Sequence, residues 1–225
     1  ESGSDYIRRD GVSDFIWERC KKQYGKNVSK EDIFYYVYGF LHCPEYRKTF
    51  ANDLKKMLPR VPLVEDVRDF WSFSKAGRRL AELHIHYEEV PAAPGVVVLY
   101  NTIGKEEINQ ALQRGKMETV NYRVEKMRFP SKEDKSRILY NHQITIDKIP
   151  AKAYEYVVNG KSAIEWIMER YQVTVHKESG IRNDPNDWAE EAGKPKYILD
   201  LLLSVIHVSM QTVEIVAGLP KVKFE

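Results

Sequence analysis

The stretch Ser29–Arg60, SKEDIFYYVYGFLHCPEYRKTFANDLKKMLPR, followed at once by Val61 and Pro62, decides what kind of fold this chain takes. Ser29 and Asp32 have the spacing of a helix start: the Ser hydroxyl accepts an early backbone N–H, and an acid sits in the first turn. Behind them Ile33, Phe34, Tyr35, Tyr36, Val37, Tyr38, Phe40 and Leu41 leave almost no polar face. A helix apolar all round is normally sandwiched in a core, so this one reads as scaffold. Pro44 stops it and suits the first turn of a next helix, Glu45 to Leu58.

Outward from that stretch the chain divides into three zones. The first, 1–88, is helical. Ser13 can cap a helix carrying Phe15, Ile16, Cys20 and Tyr24 and ending near Gly25, and Val64 to His86 predicts one or two helices with a break near Gly77. The second, 89–150, changes character. Pro91 and Pro94 mark a linker, Val96 to Tyr100 is a short strand, and Lys105 to Arg114 is a brief helix. Val120-Tyr122-Val124 and Ile138-Tyr140 with Ile144-Ile146 alternate with period two around the polar turn Pro130–Ser136, which predicts a hairpin. The third, 151–225, is mostly helical again. Ser162 and Glu165 form a capping box, Gln172 to His176 reads as extended, and Ser179 to Lys194 as polar loop. A last helix starts at Pro195 and runs to about Ala217, where Gly218 and Pro220 end it. The fold class is α+β: helical zones flanking a small central β-containing region, with one compact domain as the alternative to three parts.

Composition bounds the function. The chain has 225 residues, 43% of them hydrophobic and 12% aromatic, enough for a real core. A formal charge of +2 is nearly neutral, which a nucleic-acid binder can have if its cations are gathered on one surface. Cys20 and Cys43 are too few for a disulfide framework or a zinc site and read as reduced, buried thiols of a cytoplasmic protein. No apolar run reaches the ~20 residues of a membrane span. Tyr197 to Val216 comes nearest but holds Asp200, His207, Gln211 and Glu214, so no membrane partner is expected. Glu1 to Ser4 reads as an expression scar or a native linker, and the first Met is Met57, which agrees with a fragment.

Apparent catalytic signals fail on their spacing. Gly160-Lys161-Ser162 imitates the end of a phosphate-binding loop, but the position that needs the first glycine is Glu155, so Ser162 reads as a helix cap. There is no glycine-rich methyl-donor loop. Asp184-Pro185-Asn186 lacks the second proline and the aromatic of an amino-methyltransferase motif and reads as a turn held by its Asp and Asn side chains. His84 and His86, two apart on a helix, point to different faces. Glu133-Asp134-Lys135 has nuclease-like spacing but lies in a turn. No catalytic residue and no metal ligand is assigned.

Charge is what remains. Between Arg114 and Arg137 stand Arg114, Lys116, Arg123, Lys126, Arg128, Lys132, Lys135 and Arg137, eight basic residues against four acidic ones, a local +4. Tyr122, Phe129, Tyr140, Asn141, His142 and Gln143 are interleaved or close by. Arg and Lys neutralise phosphate, and Arg, Asn and Gln can hydrogen-bond base edges in the major groove, which admits a two-stranded ribbon. These ten residues, Asn141 and Gln143 included, are the candidate DNA contacts. Arg123 ranks first, because inward-facing Val120, Tyr122 and Val124 would turn it outward. A hairpin charged only for solubility is the plain alternative. Lys55, Lys56 and Arg60 are weaker candidates, for phosphate alone.

The order DIFYYVYGFLHCPEYR…LKKMLPRVPL resembles the region after the methyltransferase core in type ISP single-chain restriction–modification enzymes. Gly77-Arg78-Arg79-Leu80-Ala81-Glu82-Leu83-His84, Val124-Glu125-Lys126-Met127-Arg128-Phe129, Ser162-Ala163-Ile164-Glu165-Trp166 and Asp184-Pro185-Asn186 continue the resemblance in the family's order. It covers the chain from about Gly11 to Pro220. The resemblance implies a C-terminal target-recognition part: sequence-specific binding of double-stranded DNA without catalysis in this fragment and without cofactors of its own. It implies a parent that joins a nuclease and an ATP-driven translocase (helicase) to an adenine-N6 DNA methyltransferase, a restriction endonuclease using S-adenosylmethionine, ATP and magnesium. The methyltransferase core of the same polypeptide is then a partner. A structural coupler docking on that core with few DNA contacts is the alternative function, and a metal-dependent hydrolase a third.

Overall fold

The computed structural model describes residues 9–100 and 120–224, in two compact units. One runs to Ile85 and takes up the chain again from Glu214; the other is His86–Val213. The expected α+β class holds: helices flank a small antiparallel β region.

In the first unit α1 (Asp14–Tyr24) begins at Ser13, whose hydroxyl accepts from the Ile16 N–H, and stops at Gly25, where φ is +119°. The Ser29/Asp32 box opens α2 (Lys30–Phe40) with reciprocal bonds of 3.0 and 3.1 Å. Its inner face is Ile33, Tyr36, Gly39 and Phe40, while Phe34 is exposed, so the helix is packed along one side rather than sandwiched. α3 is only Pro44–Thr49, and the chain to Met57 is a run of turns, shorter than the expected helix to Leu58. α4 (Val67–Ile85) passes through Gly77 without the expected break. Gly77 is instead a crossing point: a Cβ there would lie 1.8 Å from the Tyr35 carbonyl oxygen, and one on Gly39 would lie 2.2 Å from that of Phe73. Two glycines let the backbones of α2 and α4 touch. Tyr36, Phe40, Phe70 and Phe73 form the centre of this core. The Tyr36 hydroxyl donates to the Pro62 carbonyl (2.6 Å) and that of Tyr46 to Arg60 (3.0 Å), which pins the extended segment after α3. Cys20 and Cys43 are buried free thiols.

In the second unit β1 (Val97–Tyr100), β2 (Ile138–Leu139) and β3 (Ile144–Asp147) form a sheet of order β1-β3-β2. Val97 pairs with Asp147 and Ile138 with Ile146, all antiparallel. This differs from the expected hairpin. β2 turns straight back onto β3, and 120–126 forms no strand; among the described residues the preceding segment meets β2 through a bridge between Arg128 and Leu139. Ile138, Tyr140, Ile144 and Ile146 share one core with Ile164 of α5 (Ala163–Arg170) and with Ile198, Leu199, Leu202 and Ile206 of the last helix. The Ser162/Glu165 capping box is present as expected. Two small hairpins, β4 (Val157–Val158) with β5 (Lys161–Ser162) and β6 (Thr174–Val175) with β7 (Arg182–Asn183), complete the strands described. The expected loop Ser179–Lys194 holds β7 and the short helix α6 (Pro185–Glu191), with Asp184 at its cap and Pro185 in its first turn. α7 (Tyr197–Ala217) is long and apolar enough to cross a membrane by length and composition, yet 67% of its most apolar window is buried inside the protein. Its apolar surface therefore goes to the core.

Candidate nucleic-acid interface

The segment Val120–Phe129 lies beside β2; its backbone meets Leu139 at Arg128 and Val173 at Glu125, and its first half is held by side chains. Asn186 of α6, buried, accepts from the Val124 N–H (2.9 Å) and donates to the Val124 carbonyl (2.8 Å), as a neighbouring strand would. In the β2–β3 turn, Asn141 donates through Nδ2 to the carbonyls of Asn121 (2.8 Å) and Arg123 (2.9 Å). Its Oδ1 accepts from the backbone of Gln143 and Ile144. Gln143 is itself buried and accepts from the Asn121 N–H at 2.8 Å, and the Tyr140 hydroxyl donates to the Tyr122 carbonyl at 2.8 Å. A loop whose backbone is satisfied this way can be irregular and still fixed.

Arg123 faces acids. Its guanidinium reaches Asp184 at 3.0 Å, Asp187 at 2.9 Å and Glu190 at 2.5 Å, three carboxylates contributed by α6 and its cap. Bonds to Asp187 and Glu190 raise its proton affinity further, so it is a permanent cation. Arg182 adds a second contact to Asp184 at 2.9 Å. Burial alone would raise the Asp184 carboxyl; the Asn186 hydrogen bonds and the two arginines outweigh it and hold the group below the usual carboxylate range.

Next to this network is a cleft of about 710 Å³, lined among others by Asn121, Lys126, Arg128, Phe129, His142 and Arg182. Lys126 and Arg128 are exposed on either side of buried Met127, and neither makes an ion pair with a described residue. The Arg128 backbone is fixed by its bridge to Leu139, with N···O distances of 3.2 and 2.9 Å.

The remaining candidates are placed as follows. Lys132 is exposed on the 130–136 turn. Lys135 pairs with Glu165 at 2.9 Å and lies over the rings of Phe129 and Tyr154. Arg137 pairs with Asp134 at 3.0 Å. Arg114 and Lys116, with the helix expected at Lys105 to Arg114, lie outside the described residues. Lys55, Lys56 and Arg60 are exposed in the other unit, on and after the turns that follow α3. Sequence reading missed Arg182, Asp184 and Asn186 as parts of this site; the signal was the Asp-Pro-Asn triplet, which is a helix cap whose side chains reach the neighbouring loop.

No group of three or more His, Cys, Asp or Glu among the described residues is placed to hold a metal ion. His84 donates or accepts at the Tyr38 hydroxyl (2.8 Å) with its ring 5.7 Å from that of His42, a packing arrangement.

An irregular loop fixed by hydrogen bonds, carrying two exposed cations that have no ion-pair partner among the described residues, beside a cleft, suits a recognition module. Residues 1–201 match the family described as the Type ISP C-terminal specificity domain. The chain belongs to that family, as the ordered motifs implied. Three solved structures are similar to it. The ATP-dependent Type ISP restriction-modification enzyme LlaBIII, bound to DNA, is 42% identical over 93% of this chain with a TM-score of 0.75. A nuclease-deletion mutant of the Type ISP restriction-modification enzyme LlaGI, in complex with a DNA substrate mimic, is 46% identical over 87% with a TM-score of 0.72. DrdV in its DNA complex is 30% identical over 93% with a TM-score of 0.73. The chain spans 12%, 14% and 20% of those three proteins. No curated protein matches the chain.

Proposed function

We propose that this specificity domain recognises a particular double-stranded DNA sequence on behalf of a restriction–modification enzyme and performs no chemistry itself. The observation that carries the reading is that a chain of this family, similar along 87–93% of its length to proteins solved on DNA, presents Lys126 and Arg128, exposed and without an ion-pair partner among the described residues, on a fixed loop over a cleft. Arg128, with its backbone anchored, is suited to a bidentate contact with a guanine edge; Lys126 and Lys132 are suited to phosphate. Arg123 is better suited to holding the loop, since its N–H groups already face three carboxylates. Lys55, Lys56 and Arg60 remain candidates for phosphate contact. The parent protein would carry the adenine-N6 methyltransferase, ATP-driven helicase and endonuclease activities, with S-adenosylmethionine, ATP and magnesium bound outside this chain, in the cytoplasm.

The test is selection. The chain is offered a pool of duplexes with a randomised centre, and the captured fraction is sequenced after several rounds. Enrichment of one motif supports the reading, and capture without enrichment removes sequence recognition from it. Incubation of the enriched duplex with magnesium and S-adenosylmethionine should leave it uncut and unmethylated.

A further inference from the structure

The segment that carries Lys126 and Arg128 is bracketed from one side by a single short element. Asn186 takes both backbone groups of Val124. Asp184, its side chain 2% exposed, takes Arg123, Arg182 and the Asn186 amide. Asp187, further along α6, shares with Asp184 one terminal nitrogen of the Arg123 guanidinium, and Glu190 accepts from the other. Lys126 and Arg128 follow Val124 by two and four residues.

We propose that Arg123, Asp184 and Asn186 are positioning residues: α6 and its cap clamp the loop, so that Lys126 and Arg128 meet DNA in a fixed register while Arg123 touches no DNA. The proposal rests on the DNA-recognition reading and deepens it by naming what sets specificity without contacting a base. Phosphate attraction tolerates a mobile cation, because it depends on charge and distance through solvent. A bidentate base contact needs its planar group held within about 0.5 Å of the productive place. A loosened clamp therefore costs discrimination and spares the electrostatic part of binding.

The experiment titrates the 225-residue chain with the duplex enriched above and with a scrambled duplex over a range of salt concentrations. Arg123→Met, Arg123→Lys and Asn186→Ala are compared with wild type, each checked for cooperative melting. The clamp predicts that all three lower the enriched-to-scrambled affinity ratio about tenfold, within the range one bidentate contact provides, with the wild-type salt slope retained. Lys does not rescue, because an ammonium cannot span three carboxylates. Should Asn186→Ala fail to fold, the two Arg123 variants decide alone, since they change a half-exposed side chain. A salt slope reduced by about 0.9, the value of one phosphate, and restored by Lys would place Arg123 on DNA and overturn the proposal. An unchanged ratio in every folded variant would do the same. If wild type enriches no sequence, the recognition reading itself fails and takes the clamp with it.

Discussion

Phe40 is fully buried, with ring centroids 4.9 Å from Phe73 and 5.2 Å from Tyr46. Phe40→Ala is expected to cost about 3–5 kcal/mol, read by chemical denaturation, with no change in the DNA sequence preferred. His84 behaves differently. Burial first, and His42 second, depress it from 6.5 to about 4. Its neutral form is the one the fold accepts, so stability is full above 6.5 and is lost as pH falls towards 4. His84→Gln should flatten that part of the stability–pH curve, read by chemical denaturation across that pH range. On the DNA side, Arg128→Ala should lower discrimination between enriched and scrambled duplexes by about 1–3 kcal/mol. Lys126→Ala should weaken both about equally and reduce the salt slope by about one phosphate. Equal losses for the two variants in a competition titration would break this division.

At the scale of elements, what was legible in the sequence was whatever local chemistry decides. The Ser29/Asp32 and Ser162/Glu165 boxes opened α2 and α5 where helices were expected, while Gly25 closed α1 and Gly218 follows the end of α7. What was illegible depended on a partner distant in sequence. Gly77 suggests a break when read along its own helix; against Gly39 it is a close approach of two backbones. Gly77→Ala should therefore lie at or above the top of the ~1–3 kcal/mol range for overpacking, because the atom it meets is backbone and cannot rotate away. A thermal melt unchanged by this variant would contradict the crossing. The 120–126 segment alternates like a strand but takes its hydrogen bonds from Asn186 and Asn141, so its period misled. Asn186 lies sixty-two residues from Val124 in the chain, beyond any local pattern. Arg123 was ranked by strand parity, and parity could not reveal the acids of α6.

At the scale of the molecule, the second unit gathers residues from both the central and the C-terminal zones into one core, and the cleft with Lys126 and Arg128 belongs to it. The central claim is that this face meets DNA. Hydrogen exchange of the chain, with and without the enriched duplex, tests it without altering any residue. Slowed exchange on DNA binding should concentrate at 121–130, 139–143 and 182–186, with 29–41 unchanged. Slowing confined to 44–60, or none in any of these segments while DNA is bound, would contradict it.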